Sequence, residues 1–218
     1  MPNVNSGLAL FSGVYQTAPQ AVAYSINQNT IAALSNIGTT ETAFSLNVNL
    51  IAGGTLPPAV LTIEPGLWAG GRPFKVRAVG TVTTAASSTV AFKLYQVPYA
   101  ILIAGTAGTL GNDTLVATYS TSNAIATTTA SFYLEGTFQW EPVVGKLIGQ
   151  FNGFVGGGGN ATVVTSPTAT TTATLTPPVT SIPAADGSLN LNFILSATFG
   201  TGNAGNTVNL NWFEWEGV

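Results

Sequence analysis

The sequence predicts an all-β protein, an antiparallel jelly-roll-like β-sandwich with long loops. Three observations support this prediction. Apolar and polar residues alternate along several segments, turn-forming Gly, Pro, Asn and Asp residues separate those segments, and helical spacing is not sustained anywhere in the 218 residues. A single sandwich or barrel domain commonly has about 200 residues. A jelly roll of about eight strands fits this length, and a closed up-and-down barrel is the alternative.

Alternation with a period of two residues marks the predicted strands, because it places the apolar members of each set on one face of a half-buried strand. The segment TTAASS is expected to be the turn of a hairpin between the second and third sets. Gly149 and Gly153 fall on the inward face of their strand, which indicates close approach by the facing sheet or a bend. The alternating sets span residues 44–50, 74–82, 90–94, 132–140, 147–155, 189–199 and 208–212.

Two segments lack this alternation. Residues 1–20 are predicted to form an N-terminal arm, and residues 21–218 a single β-sandwich domain with a long Gly/Thr/Pro-rich loop near 156–187. Segments of this composition bury too little apolar surface to offset their ordering entropy, so we expect them to become ordered on a partner. The glycine run Gly156–Gly159 is not a phosphate loop, because no Lys-Ser or Lys-Thr pair follows it.

The composition argues against an enzyme. The chain has no histidine and no cysteine, and only 6% of its residues are charged, so the usual general base and all thiolate chemistry are missing. Glu135 and Glu141 flank one strand end, but a carboxylate pair alone is a weak sign of a glycosidase. Glu214 and Glu216 share one strand face and are expected to be exposed, although together they would suit a cation. We expect no catalytic residue, no cofactor and no metal site.

Charge also limits the partners. The net charge is −3, which does not favour nucleic acid, and the apolar stretches are too short to cross a membrane. Lys75, Arg77 and Lys93 are predicted to face outward on one hairpin, either as a small positive patch for an acidic partner or as edge protection of a sheet. A surface this poor in charge favours burial in an assembly.

Two sets of apolar residues are candidates for partner contacts. The arm contains Leu8, Leu10, Phe11 and Tyr15, which are too apolar for a free tail. In VNLNWFEWEGV the apolar phase changes after Trp212, which indicates a bulge or a strand that leaves one core for another. Phe213 and Trp215 are therefore expected on a second face, covered either by a partner subunit or by loops of the same chain.

Two segments, FYLEGTFQWEPVVGKLIGQFNGFVGG and LNFILSATFGTGNAGNTVNLNWFEWE, resemble the C-terminal part of tailed-phage virion proteins. The second contains a closing element made of Phe199, Gly200, Asn203, Asn206, Val208 and Leu210. The resemblance covers residues 130–216 and implies a jelly-roll capsid decoration (cement) protein. Such a protein would form a homotrimer on the capsid surface of the virion and stabilise the phage head by binding the major capsid protein.

A receptor- or glycan-binding module of a phage tail fibre or baseplate is the alternative function. Such a module stacks sugars on exposed aromatic side chains, and Trp68, in the loop from Gly66 to Gly71, is the candidate. The competing interpretation places Trp68 in the core as an anchor of the loop, because tryptophan side chains are largely buried in most proteins.

Overall fold

The computed structural model describes the chain over eleven ranges, and twelve strands and one helical turn lie within them. The predicted arm, residues 1–20, lies outside these ranges, as does most of the predicted loop at 156–187. The ranges are 23–27, 31–35, 38–46, 57–68, 70–97, 108–121, 125, 129–141, 146–156, 164–165 and 190–218. The elements are β1 (Ala23–Asn27), β2 (Leu34–Ser35), β3 (Thr42–Ala43), β4 (Leu61–Ile63), α1 (Pro65–Trp68), β5 (Pro73–Thr83), β6 (Val90–Val97), β7 (Thr114–Ser120), β8 (Thr129–Glu141), β9 (Lys146–Gly156), β10 (Val164–Thr165), β11 (Leu191–Phe199) and β12 (Thr207–Gly217).

The strands form two antiparallel sheets, which confirms the predicted β-sandwich. The larger sheet has the order β1-β12-β5-β8-β9-β10, with β2 also paired to β12. The smaller sheet has the order β3-β11-β6-β7, with β4 also paired to β11. The chain crosses between the sheets after β2, β4, β5, β7, β10 and β11, as in a jelly roll, and β9 and β10 extend the larger sheet beyond β8. The described strands do not close into a barrel.

The core lies between the sheets and is mostly aromatic. Phe92 of the smaller sheet meets Phe132 of the larger sheet with ring centroids 4.5 Å apart, and Phe193 contacts Phe74 in the same way at 6.0 Å. Such pairs stabilise a core beyond their area of burial. The largest fully buried side chains are those of Trp68, Trp140, Tyr119, Phe44, Phe74, Phe92, Phe132, Phe138, Phe151, Phe193, Phe199 and Phe213.

Strands β5 and β6 do not form the predicted hairpin. Strand β5 pairs with β12 and β8 in the larger sheet, whereas β6 pairs with β11 and β7 in the smaller sheet. The segment TTAASS is therefore a connection between the two sheets rather than a hairpin turn. The alternation of each strand was predicted correctly, but its partner was not.

The predicted close approach at Gly149 and Gly153 comes from the neighbouring strand β8 rather than from the facing sheet. A Cβ atom at Gly149 would overlap the carbonyl oxygen of Thr137 and the ring of Phe138. At Gly153 it would lie 2.6 Å from a methyl group of Leu134. Glycine in β9 thus gives large side chains of β8 room to lie over the sheet.

The closing element that supports the phage resemblance is a packed turn between β11 and β12. The side-chain amide of Asn206 is buried; its Oδ1 accepts a hydrogen bond from the amide of Ala85, and its Nδ2 donates one to the carbonyl of Thr201. The amide of Gly200 donates to the carbonyl of Thr89 at 3.0 Å. The hydrogen bonds to Ala85 and Thr89 connect the β11–β12 turn to the β5–β6 connection. The role of the closing element is therefore structural.

The only helix in the described ranges is α1, a single turn that begins at Pro65, where proline suits the first helical position. The described part of the chain contains no helix that is long and apolar enough to cross a membrane.

Gly80 provides a test of this packing. A Cβ atom there would overlap the backbone carbonyl of Asn209 and lie 2.7 Å from the ring of Phe132. We expect Gly80→Ala to lower the free energy of unfolding by about 1–3 kcal/mol, the usual cost of overpacking. The matched control is Gly111→Ala, because a Cβ atom at Gly111 meets nothing within 4 Å. Equal stability of the two variants in urea denaturation would contradict this account of the core.

Candidate functional site

A bulge in β12 determines which C-terminal side chains face outward. The register of β12 against β5 shifts between Leu210 and Trp212, which confirms the predicted bulge. Phe213 and Trp215 consequently join the core of this chain and are 0% and 3% exposed. The expectation that they form a second, partner-facing surface is therefore wrong. Trp212, which was grouped with the inward residues, faces outward instead and is 51% exposed.

The other partner-interface candidates, Leu8, Leu10, Phe11 and Tyr15, lie outside the described residues. Their role in partner binding stays a prediction.

An aromatic row crosses the outer face of the larger sheet. Trp212 pairs with Val79, Val79 with Tyr133, and Tyr133 with Phe154, so these four side chains lie in line on β12, β5, β8 and β9. Phe154 is 41% exposed, and the rings of Tyr133 and Phe154 are stacked, with centroids 5.7 Å apart. Exposed aromatic side chains on a rigid sheet suggest a binding surface.

An ion cluster of five residues lies beside the aromatic row, on the side that is closer to the C-terminal end of β12. Arg77 is at its centre: its Nε donates to Glu135 Oε2 at 2.8 Å, and its Nη1 contacts Glu216 Oε2 at 2.6 Å and Glu214 Oε1 at 3.5 Å. Lys75 Nζ lies 3.4 Å from Glu135 Oε1. The cation that Glu214 and Glu216 hold is therefore a guanidinium group. Across the described ranges, no group of three or more acidic side chains is arranged to hold a metal ion.

The charged forms of Arg77 and Glu135 are favoured by their mutual hydrogen bond. Burial alone would raise the pKa of Glu135, but hydrogen bonds from Tyr133 and Arg77 outweigh burial and hold that pKa below its ordinary value. The hydrogen bond to Glu135 likewise raises the pKa of Arg77. Burial and the donation of its hydroxyl to Glu135 at 2.7 Å raise the pKa of Tyr133. The aromatic row is thus joined to the ion cluster through Tyr133.

A neutral polar row lies on the other side of the aromatic row. Asn209 pairs with Thr81, and Thr81 pairs with Ser131. The amide Nδ2 of Asn209 donates to the hydroxyl of Thr81 at 3.3 Å. Alternate residues of a strand are about 7 Å apart, so hydrogen-bonding groups flank the aromatic row at about this distance on both sides.

The smaller sheet has a separate polar cluster on its outer face. The carboxylate of Glu41 accepts hydrogen bonds from Lys93 Nζ at 2.7 Å, from the Tyr95 hydroxyl at 2.8 Å and from Ser196 Oγ at 2.5 Å. Burial alone would raise the pKa of Glu41, but these hydrogen bonds hold it below its ordinary value. Ser196 is fully buried, so this cluster stabilises the sheet and offers no accessible nucleophile.

The predicted positive patch is not present. Lys75 and Arg77 lie on the larger sheet and Lys93 on the smaller sheet, and all three form ion pairs with glutamates. Edge protection is also wrong for Arg77, because β5 lies between β12 and β8 rather than at an edge.

The remaining candidate residues from the sequence, Glu135, Glu141 and Trp68, are not positioned for catalysis or for sugar binding. Glu135 and Glu141 are six residues apart on β8, about 20 Å along an extended strand, whereas the two carboxylates of a glycosidase lie about 5–10 Å apart. Trp68 is fully buried and packs edge-on against Trp140, with ring centroids 5.4 Å apart. It is therefore the loop anchor of the competing interpretation, and not an exposed sugar platform.

The aromatic row does not follow from the alternation of apolar and polar residues in single strands. The sequence does indicate two residues of the row. Tyr133 and Phe154 are aromatic residues at outward positions of strands whose inward positions are also apolar. Their alignment with Trp212 depends on strand order and on the β12 bulge, which the alternation of single strands does not specify.

No protein-family model matches this sequence, and a search of curated proteins finds no match. The solved structures that are similar to this chain include the following three. Peanut lectin with a 9mer peptide is 8% identical, with 91% of this chain and 98% of that chain covered and a TM-score of 0.31. The CBM2 module of the evolved Dit of Lactobacillus casei BL23 phage J-1 is 12% identical, with 91% and 97% covered and a TM-score of 0.33. The endo-1,3-beta-glucanase from Streptomyces sioyaensis is 10% identical, with 92% and 98% covered and a TM-score of 0.35.

Glu41 provides a test of the cluster on the smaller sheet. We expect Glu41→Gln to lower the free energy of unfolding at pH 7 by about 1–3 kcal/mol, because it weakens charge-assisted hydrogen bonds and leaves the Lys93 charge unpaired. The pKa of Glu41 is lowered in the folded state, so its contribution to stability is present above the ordinary pKa of 4.5 and is lost as pH falls below it.

The difference between wild type and Glu41→Gln should therefore narrow in urea denaturation at acidic pH. Glu64→Gln, at an exposed position before α1, is the control and should change stability little at either pH. A difference between wild type and Glu41→Gln that is independent of pH would show that the carboxylate charge does not stabilise this sheet.

Proposed function

We propose that this chain is a non-enzymatic carbohydrate-binding module of a phage virion, acting in receptor or glycan recognition on a tail fibre or baseplate. The supporting observation is the aromatic row of Trp212, Val79, Tyr133 and Phe154, with hydrogen-bonding side chains on both sides. The assignment to a virion follows from the sequence resemblance to tailed-phage proteins.

The chemistry of the row suits a sugar ring. The face of an aromatic ring is electron-rich, so it attracts the weakly positive C–H groups on the face of a pyranose. The hydroxyl groups at the edge of that pyranose need hydrogen-bond partners at a similar level above the sheet. The carboxylates of Glu214 and Glu135 on one side and Asn209 on the other supply acceptors and a donor.

Preorganisation also favours binding. Trp212, Tyr133 and Phe154 lie on strands β12, β8 and β9 rather than on loops. The hydrogen bond from the Tyr133 hydroxyl to Glu135 also fixes the stacked Tyr133–Phe154 pair. Less side-chain freedom is lost when such a surface binds a ligand, which raises affinity for a given contact area. A non-enzymatic role is consistent with the absence of histidine and cysteine from the sequence.

The decisive variant is Trp212→Ala on a glycan array followed by titration calorimetry. We expect wild type to bind one class of glycan and Trp212→Ala to bind it about tenfold more weakly or worse, the loss of about one aromatic contact. Because Trp212 is 51% exposed, the variant should fold normally, as checked by circular dichroism.

Leu115→Ala is the matched control, because Leu115 is 45% exposed but lies on β7 of the smaller sheet. Trp68→Ala is unsuitable as a binding test, since removal of a fully buried tryptophan destabilises a protein by about 3–5 kcal/mol. If no glycan binds, or if Leu115→Ala weakens binding as much as Trp212→Ala does, the aromatic row is not a carbohydrate site.

Capsid decoration is the second candidate, in which a homotrimer binds the major capsid protein. It is supported by the resemblance over residues 130–216 and by a surface with few charges available to partners. Lys75, Arg77 and Lys93 are already paired with glutamates of the same chain. Contacts of such a surface depend on apolar burial and backbone pairing more than on salt bridges.

Capsid decoration predicts that the protein co-sediments with phage capsids and stays bound from low salt to about 1 M salt, because screening weakens only exposed charge pairs. It also predicts a trimer in light scattering. Release of the protein from capsids by salt would exclude capsid decoration. A monomer that binds glycan but not capsids would exclude it as well.

A further inference from the structure

The aromatic row has a length that selects among carbohydrates. Trp212 lies on β12, Tyr133 two strands away on β8, and Phe154 on the next strand, β9. Neighbouring strands are about 4.8 Å apart, so the row extends over about 14 Å from β12 to β9. This distance is close to the length of three linked sugar units in an extended chain, whereas a single sugar unit covers one ring.

The row also has a twist. Adjacent strands of a sheet are rotated by about 20–25° relative to one another, so the surface under the row turns by about 60–75° over three strand steps. A flat crystalline polysaccharide cannot contact Trp212 and Phe154 at the same time on such a surface. A single dissolved chain can, because it rotates about its glycosidic bonds.

The ion cluster beside the row disfavours acidic sugars. It contains two cations and three carboxylates, and Arg77 already contacts all three of those carboxylates. The remaining cation, Lys75, is paired with Glu135 at 3.4 Å. A ligand carboxylate would therefore meet net negative charge and no unpaired cation in this cluster, which is unfavourable. Uncharged hydroxyl groups, by contrast, can donate to the carboxylate oxygens.

We infer that the aromatic row binds a single soluble, uncharged oligosaccharide of at least three sugar units, which lies across the strands from β12 to β9. This inference rests on the proposed carbohydrate-binding function and defines its ligand class. Trp212 contacts one end of the oligosaccharide and the Tyr133–Phe154 pair contacts the other. Val79, the small residue between them, leaves space for the central unit.

Titration calorimetry with soluble gluco-, xylo- and manno-oligosaccharides of one to six units tests the inference. Affinity for the preferred series should rise about tenfold or more between two and three units and change little beyond four, because each aromatic contact contributes about one such factor. Oligogalacturonates of the same lengths should bind at least about tenfold more weakly, and microcrystalline cellulose should not retain the protein.

Variants at the two ends of the aromatic row test where the oligosaccharide binds. Trp212→Ala and Phe154→Ala should each reduce the affinity for the three-unit ligand to about that of the two-unit ligand. Leu115→Ala, on the smaller sheet, should leave the whole series unchanged.

The outcomes separate this inference from the proposed function. If no carbohydrate binds, the proposed function fails and the inference fails with it. If a single unit binds as tightly as three, or if oligogalacturonate binds as well as a neutral chain, the carbohydrate function stands and the ligand class is wrong. Retention on microcrystalline cellulose without binding of soluble chains would overturn the inference in favour of a flat surface ligand.

Discussion

The bulge in β12 between Leu210 and Trp212 determines both the core and the candidate site. Strict alternation from Val208 and Leu210 would direct Trp212 and Glu214 into the core. Burial of an unpaired carboxylate costs several kcal/mol even after relaxation, so that register is strongly disfavoured. One additional residue in the strand solves the problem, because it buries Phe213 and Trp215 while aligning Glu214 with Arg77.

Most charges of the described strands lie in two compact groups on the outer faces of the two sheets. In each group the cations are paired with carboxylates: Arg77 lies among three glutamates on the larger sheet, and Glu41 accepts from Lys93 on the smaller. Exposed single ion pairs contribute little to stability, but these groups are half-buried and linked by hydrogen bonds through Tyr133 and Tyr95. These groups therefore offer no unpaired cation to a ligand, which suits recognition of uncharged ligands or neutral protein surfaces.

Alternation in the sequence predicted the strands well, because the side chains of a half-buried strand must obey a period of two. It predicted β5, β8 and β9 with their inward faces. It does not predict strand partners, which depend on contacts distant in sequence, so it gives no sign that TTAASS connects two sheets or that Lys93 and Arg77 lie on different sheets. Trp68 was ambiguous for a similar reason: only the position of Trp140 in the folded chain shows that the indole is covered.

The aromatic row is separate from the side chains that form the core. The core is complete on the inward faces, where Phe132 and Phe138 alternate with the outward Tyr133 of the same strand. Outward side chains can therefore change without creating cavities, whereas the inward ones cannot. The strands beneath nevertheless hold the outward side chains at fixed spacings across the sheet, which a loop would not do. Trp212 and Phe154 can therefore change without uncovering the core, because both side chains lie on the outward face of the sheet.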